Sequence, residues 1–217
     1  MTSANQTSEA ALRAELIASA RRMNTLGLNR GTAGNLSVRH ADGFLITPSA
    51  LPYDETEPDD IVFMRFDGSP TGRRRPSSEW RFHRDILAAR SEVGVVLHAH
   101  APFATALACI GADIPAFHYM IALAGGDSIR CAPYATFGTQ ALSEFALAAL
   151  AERKACLLAN HGLIVLGETL KATLALAVEV EGLCEQYWRA KQVGTPRLLD
   201  CEEMQNVLSK FKNYKSR

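Results

Sequence analysis

Neither sign of charge is in excess in this chain: Lys plus Arg and Asp plus Glu each number 23 among 217 residues. No overall field therefore draws the protein to nucleic acid or to an anionic membrane, and any anion must be held locally. Apolar runs of membrane-spanning length are missing, and the opening MTSANQTSEAALRAEL lacks the apolar stretch of a signal peptide; the expected compartment is the cytoplasm. Cysteines are few and odd in number. Cys109, Cys131, Cys156, Cys184 and Cys201 are never spaced Cys-x-x-Cys, which fits reduced thiols better than a disulfide framework. Gly-x-x-x-x-Gly-Lys-Ser/Thr is absent and no dinucleotide glycine pattern follows a strand, so the common nucleotide-binding readings lose support. Repeats and low-complexity tracts are also missing.

What is there is an ordinary globular composition, 47% hydrophobic and 21% charged, expected to form one domain over residues 1–217. Leu12, Leu16, Ala20 and Met23 recur at helical spacing, so residues 8–26 read as a helix stopped by Gly27. NLSVRHADGFLIT, residues 35–47, reads as two strands around an Asp42-Gly43 turn, and IVFMRF as a third strand followed by a polar loop. Helices are expected at 79–90, 102–110, 139–153 and 170–191. A last one is capped by Asp200, with Met204, Val207, Leu208 and Phe211 as its apolar stripe. Short hairpins mixed with helices predict an α/β fold, a three-layer α/β/α arrangement with a largely antiparallel central sheet flanked by helices.

VGVVLHAHAP, residues 93–102, is an apolar strand that ends in two histidines with one residue between them. Alternate side chains of a strand share a face, so His98 and His100 reach toward one point. A third histidine, His161, sits at an Asn-His-Gly turn between two apolar strands. Three imidazoles with a carboxylate or water in the fourth place form a usual catalytic metal set, with nitrogen favouring zinc; structural histidines would satisfy the same spacing. His40 reads as exposed on a turn, and His83 and His118 as supporting or packing residues. Glu79, in PSSEWRFH, stands at a helix start, where Ser77 or Ser78 would cap and Glu79 would favour the dipole. Those serines would equally serve as a phosphate seat. RGTAGNLS, with Gly34 and Asn35, offers accessible amides or an ordinary turn. Arg73 to Arg75 read as a solvated loop beside the serines.

Taken in order, GLNRGTAGNLSVR, DGFLITPSA, PSSEWRFH, VVLHAHA, HYMIALAGGDSIRCAPYATFGT and NHGLIVLGE resemble the class II aldolase and adducin family over nearly the whole chain. The resemblance implies zinc, one per subunit or replaced by another divalent ion, on His98, His100 and His161, with Glu79 as a further ligand that becomes the acid/base. It implies a phosphate site at Gly34, Asn35, Ser49, Ser77 and Ser78. Ala50 stands there where the pattern has a glycine, and keeps the N–H but not the backbone freedom. Tyr119, supplied by a neighbouring subunit, and Tyr214 in the C-terminal tail are the implied catalytic tyrosines, in a homotetramer with active sites at subunit interfaces. The implied reaction cleaves a small phosphorylated sugar, a ketose 1-phosphate such as L-fuculose 1-phosphate, to dihydroxyacetone phosphate and L-lactaldehyde through an enediolate that the metal stabilises. A pentulose-phosphate 4-epimerase, a sugar-acid phosphate decarboxylase and a dehydratase would use the same sites. An adducin-like interaction module would be expected to lack part of the histidine set.

Overall fold

The computed structural model describes residues 8–215. Along the chain run α1 (Glu9–Thr25), β1 (Asn35–His40), β2 (Gly43–Ile46), β3 (Val62–Arg65), β4 (Pro70–Thr71), α2 (Trp80–Ala89), β5 (Val95–Ala99) and α3 (Pro102–Cys109). After them come β6 (Arg130–Ala132), α4 (Gln140–Ala149), β7 (Ala155–Leu158), β8 (Gly162–Gly167), α5 (Leu170–Val193) and α6 (Cys201–Lys215). The strands form one sheet in the order β4-β3-β2-β1-β5-β8-β7-β6. Every pairing is antiparallel except β6 with β7. No helix among the described residues is long and apolar enough to cross a membrane, and all five cysteines are free.

Period-two patterning places the core on both faces of this sheet. Val95, Leu97 and Ala99 of β5 pack with Leu16 of α1, Leu107 of α3 and Leu174 of α5. Val96, between them, faces the other way and joins Phe82 and Ile86 of α2 and Leu142 and Ala146 of α4. Full burial of each such Leu or Phe is worth roughly 1.5–3 kcal/mol, so both helical layers are tied to the sheet. The expected three-layer fold stands.

Local signals behave as their chemistry requires, with corrections. Ser8 Oγ accepts from Ala11 N–H to start α1, and Asp200 Oδ1 accepts from Glu203 N–H at 2.8 Å to start α6. The β1–β2 loop is Ala41-Asp42, not Asp42-Gly43: Gly43 pairs with His40, and Ala41 takes the left-handed φ of 47°. His40 is the half-buried end of β1, in contact with Glu9 at 3.2 Å, rather than exposed on a turn. Helix α4 ends at Ala149 with Leu150 as its C-cap, four residues before the expected Arg153, and Glu152 in the turn beyond it adopts a left-handed φ of 59°. Arg73 and Arg74 are not simply solvated: both donate to Oδ1 of the buried Asp60, at 2.9 and 2.7 Å. Helix α3 begins with Ala101 and Pro102, which have nothing to cap it, so Glu181 of α5 accepts from the N–H groups of Phe103 and Ala104, at 2.8 and 2.9 Å.

Candidate metal centre and substrate cavity

Strand β5 delivers the first histidine. His98 is fully buried, on the α2 side of the sheet, and Phe82 meets its ring edge-on at 5.5 Å. Its Nδ1 lies 2.9 Å from the Leu163 carbonyl of neighbouring β8. A carbonyl only accepts, so Nδ1 carries the proton and Nε2 is left with a lone pair. His100 follows the strand, with its backbone N–H donating to Asn29 Oδ1 at 2.9 Å. His161 enters from the β7–β8 turn, where Asn160 has a left-handed φ of 55°. Gly162 is obligatory there, because a Cβ would stand 2.4 Å from the Ala99 carbonyl oxygen. The three rings converge with centroids 4.7 to 5.0 Å apart, and their ligand nitrogens lie within 4.8 Å of one another. His98 Nε2 and His100 Nε2 are 3.0 Å apart. Burial first, then the nearby His98, pushes His100 and His161 down to about 4, which keeps both rings in the neutral form that binds metals.

Glu79 closes the fourth side. Its Oε2 lies 3.2 Å from His98 Nε2 and its Oε1 3.3 Å from His161 Nε2, while Asn35 Nδ2 donates to Oε2 at 2.9 Å. Burial alone would raise this carboxyl. The adjacent His98 and His161 imidazoles and the Asn35 amide outweigh that and hold it below the usual carboxylate range. The expected Ser77 or Ser78 cap is corrected here. Glu79 itself occupies the N-cap position of α2 without capping it, and its side chain turns to the histidines. Ser77 braces the turn instead, its Oγ accepting from Glu79 N–H at 3.3 Å. Glu79 Oε1 is buried and has no hydrogen-bond partner. An anionic oxygen left without a hydrogen bond beside three imidazoles is a donor set suited to a divalent cation.

A cavity of about 330 Å³ is lined by Glu79, His100 and His161 together with Gly34, Asn35, Ser49, Ala50, Ser77 and Ser78. The structure therefore brings together all six residues expected at phosphate. Gly34 has a φ of 74°, and a Cβ on it would meet the His98 carbonyl oxygen at 2.6 Å. Ala50 does adopt the left-handed conformation, with a φ of 56°. Tyr134, Ala135 and Phe137 form a rim that sequence reasoning missed. The available signal was Gly138, where a Cβ would meet the Ser78 carbonyl oxygen at 2.7 Å. Tyr119 does not line this cavity. It is half-exposed and stacks on Phe211 across 6.3 Å, beside a separate groove. Tyr214 lies in α6, and its side chain falls outside the described residues.

A layered α/β fold with three converging imidazoles and a buried carboxylate beside a polar cavity is the architecture of a candidate metal site open to a small polar molecule. A family model described as Class II Aldolase and Adducin N-terminal domain matches residues 14–188, and the chain belongs to that family. A 5-methylthioribulose-1-phosphate/5-deoxyribulose-1-phosphate aldolase of Rhodospirillum rubrum is 61% identical over 207 residues, 95% of this chain and 94% of the relative. An L-fuculose phosphate aldolase of Escherichia coli is 49% identical over 193 residues, 88% of this chain and 90% of that one. A solved L-fuculose 1-phosphate aldolase superposes with a TM-score of 0.91 at 38% identity, covering 96% of this chain and all of the other. The chain is an enzyme of the class II, metal-dependent aldolases.

Proposed function

We propose that the chain cleaves a ketose 1-phosphate to dihydroxyacetone phosphate and an aldehyde, with His98, His100, His161 and Glu79 as the ligands of one zinc ion. The observation that carries this reading is the cavity itself, which is lined both by the Glu79 carboxylate with the His100 and His161 imidazoles and by the hydroxyl and amide donors of Ser49, Ser77, Ser78 and Asn35. A divalent ion held there supplies a Lewis acid that polarises the substrate carbonyl. Ser49, Ser77, Ser78 and the backbone around Gly34 and Ala50 seat the phosphate, so that binding energy remote from the reacting carbons fixes their orientation. As the C3–C4 bond breaks, the C4 hydroxyl gives up its proton and C3 gains one. Glu79, whose carboxylate lines the cavity, moves the proton at C3. The resemblance assigns the C4 oxygen to Tyr119 of a neighbouring subunit in a homotetramer, which agrees with its distance from this chain's own cavity. Tyr214 is assigned by the same resemblance.

The 61% identity to the R. rubrum aldolase favours 5-deoxyribulose 1-phosphate or its methylthio analogue as substrate. The apolar rim of Tyr134, Ala135 and Phe137 suits the unsubstituted or thioether tail of such a sugar. L-Fuculose 1-phosphate, the expectation from the sequence, is the second reading, favoured by the 0.91 superposition. Zinc-loaded protein offered these three esters and L-ribulose 5-phosphate, with dihydroxyacetone phosphate measured, decides between them. Faster release from the 5-deoxy or methylthio ester supports the first reading, and faster release from fuculose phosphate the second. Epimer formation with no triose phosphate overturns both.

A further inference from the structure

Behind Glu79 a chain of polar side chains runs into the interior. Asn35 donates from Nδ2 to Glu79 Oε2, Asn35 Oδ1 lies 2.5 Å from His83 Nε2, and His83 Nδ1 lies 2.7 Å from Ser37 Oγ. Ser37 and His83 have no exposed surface and Asn35 has 4%, so the links made by His83 are closed to water, and the donor and acceptor roles follow from one another. Asn35 must present nitrogen to the carboxylate, because its oxygen there would face another oxygen bearing charge. That leaves Oδ1 toward His83, whose Nε2 must then carry a proton. Burial, reinforced by His98, pushes His83 down to about 3, so the ring is neutral. Its Nδ1 therefore accepts, and the Ser37 hydroxyl donates to it.

The elements explain why these groups meet. Asn35 and Ser37 are two apart on β1 and share a face. His83 lies one turn along α2 from Glu79, so one helix presents both the carboxylate and the ring that acts on its partner.

We propose that His83 is a positioning residue for Glu79: its Nε2–H locks the Asn35 amide, which ties down Oε2 and so fixes how the carboxylate is presented for proton transfer. This rests on the reading of Glu79 given above. Ser37 sets the tautomer of His83, so it acts through the same chain. Neither residue reaches the cavity.

The test compares His83→Phe, His83→Gln and Ser37→Ala with Glu79→Gln for kcat, KM and metal content, and records imidazole nitrogen NMR spectra of the metal-free protein. His83→Phe should lower kcat about tenfold or more, the usual effect of removing a partner that orients a reacting group, with KM and metal content within about twofold of wild type. Glutamine reaches Asn35 with its own N–H, so His83→Gln should regain most of the rate. Ser37→Ala should lower kcat by a smaller factor, and wild-type spectra should show His83 protonated at Nε2. The proposal is overturned if His83→Phe keeps kcat within twofold, if the loss falls on KM or metal content, or if Nε2 is unprotonated. Should His83→Phe not fold, an unchanged kcat in Ser37→Ala overturns it. If wild type releases no triose phosphate from any ester, the parent reading fails, and the NMR spectra still decide the hydrogen-bond chain.

Discussion

His98 and His100 point their Nε2 atoms at each other across 3.0 Å. Because His98 Nδ1 already donates to the Leu163 carbonyl, its Nε2 brings a lone pair to that contact, and a proton or a cation between the rings is what makes it attractive. Purified protein should hold a single divalent ion per chain, measured by elemental analysis. His98→Ala should lower that content and abolish cleavage together. Full metal retention in this variant would sink the three-histidine site.

Replacing Glu79 by glutamine separates chemistry from binding. The amide keeps the shape and a metal-facing oxygen but cannot carry a proton. A kcat loss of about 10²–10⁴-fold is expected, the range for removing a general acid or base, with most of the metal retained. Equal kcat in the two proteins would exclude Glu79 from proton transfer.

The buried imidazoles make the metal-free protein sensitive to acid. In the unfolded chain these rings take up protons as pH falls through about 6.5, whereas in the folded chain His100 and His161 resist until about 4 and His83 until about 3. The unfolded state binds more protons throughout that window, so unfolding free energy falls as pH drops from 6.5 toward 4. Urea denaturation of chelator-treated protein at several pH values checks this, and a flat profile between pH 6.5 and 4.5 contradicts it.

Two positive-φ positions on the cavity wall should respond oppositely. At Ala50, φ 56°, glycine removes about 1–2 kcal/mol of left-handed strain and adds about 0.4–1 kcal/mol of unfolded-state entropy. Ala50→Gly should therefore stabilise by roughly 0.5–1 kcal/mol. Gly34→Ala forces a Cβ to 2.6 Å from the His98 carbonyl oxygen and should destabilise and impair cleavage. Thermal melts of both variants measure the difference, and a destabilised Ala50→Gly would contradict the strain argument.

Features governed by near neighbours were legible in the sequence. The alternation in β5, the cap of α6 by Asp200 and the convergence of His98 with His100 follow from spacing alone, and the histidine at 161 from its place between two apolar strands. Contacts distant in the chain were not. Nothing near Asn35 announces His83, 48 positions on, and nothing near Arg73 announces Asp60 as its anchor. Glu79 read both as a carboxylate candidate and as an acid favouring a helix dipole, because the rule for caps is local; its orientation is set by histidines from two other strand ends. The Tyr134 to Phe137 rim was missed because its side chains stand exposed at a cavity edge, where no hydrophobic period marks them.

The bond from Glu181 to the start of α3 has a mechanical consequence for the pair of rings at the end of β5. His98 takes its position from the sheet, through Leu163 on β8. The segment just after His100 is held by α5, through two amides on one carboxylate. The two neighbouring imidazoles are thus anchored through different layers, one by the sheet and the other next to a segment fastened to a helix, and their spacing depends on how those layers sit together.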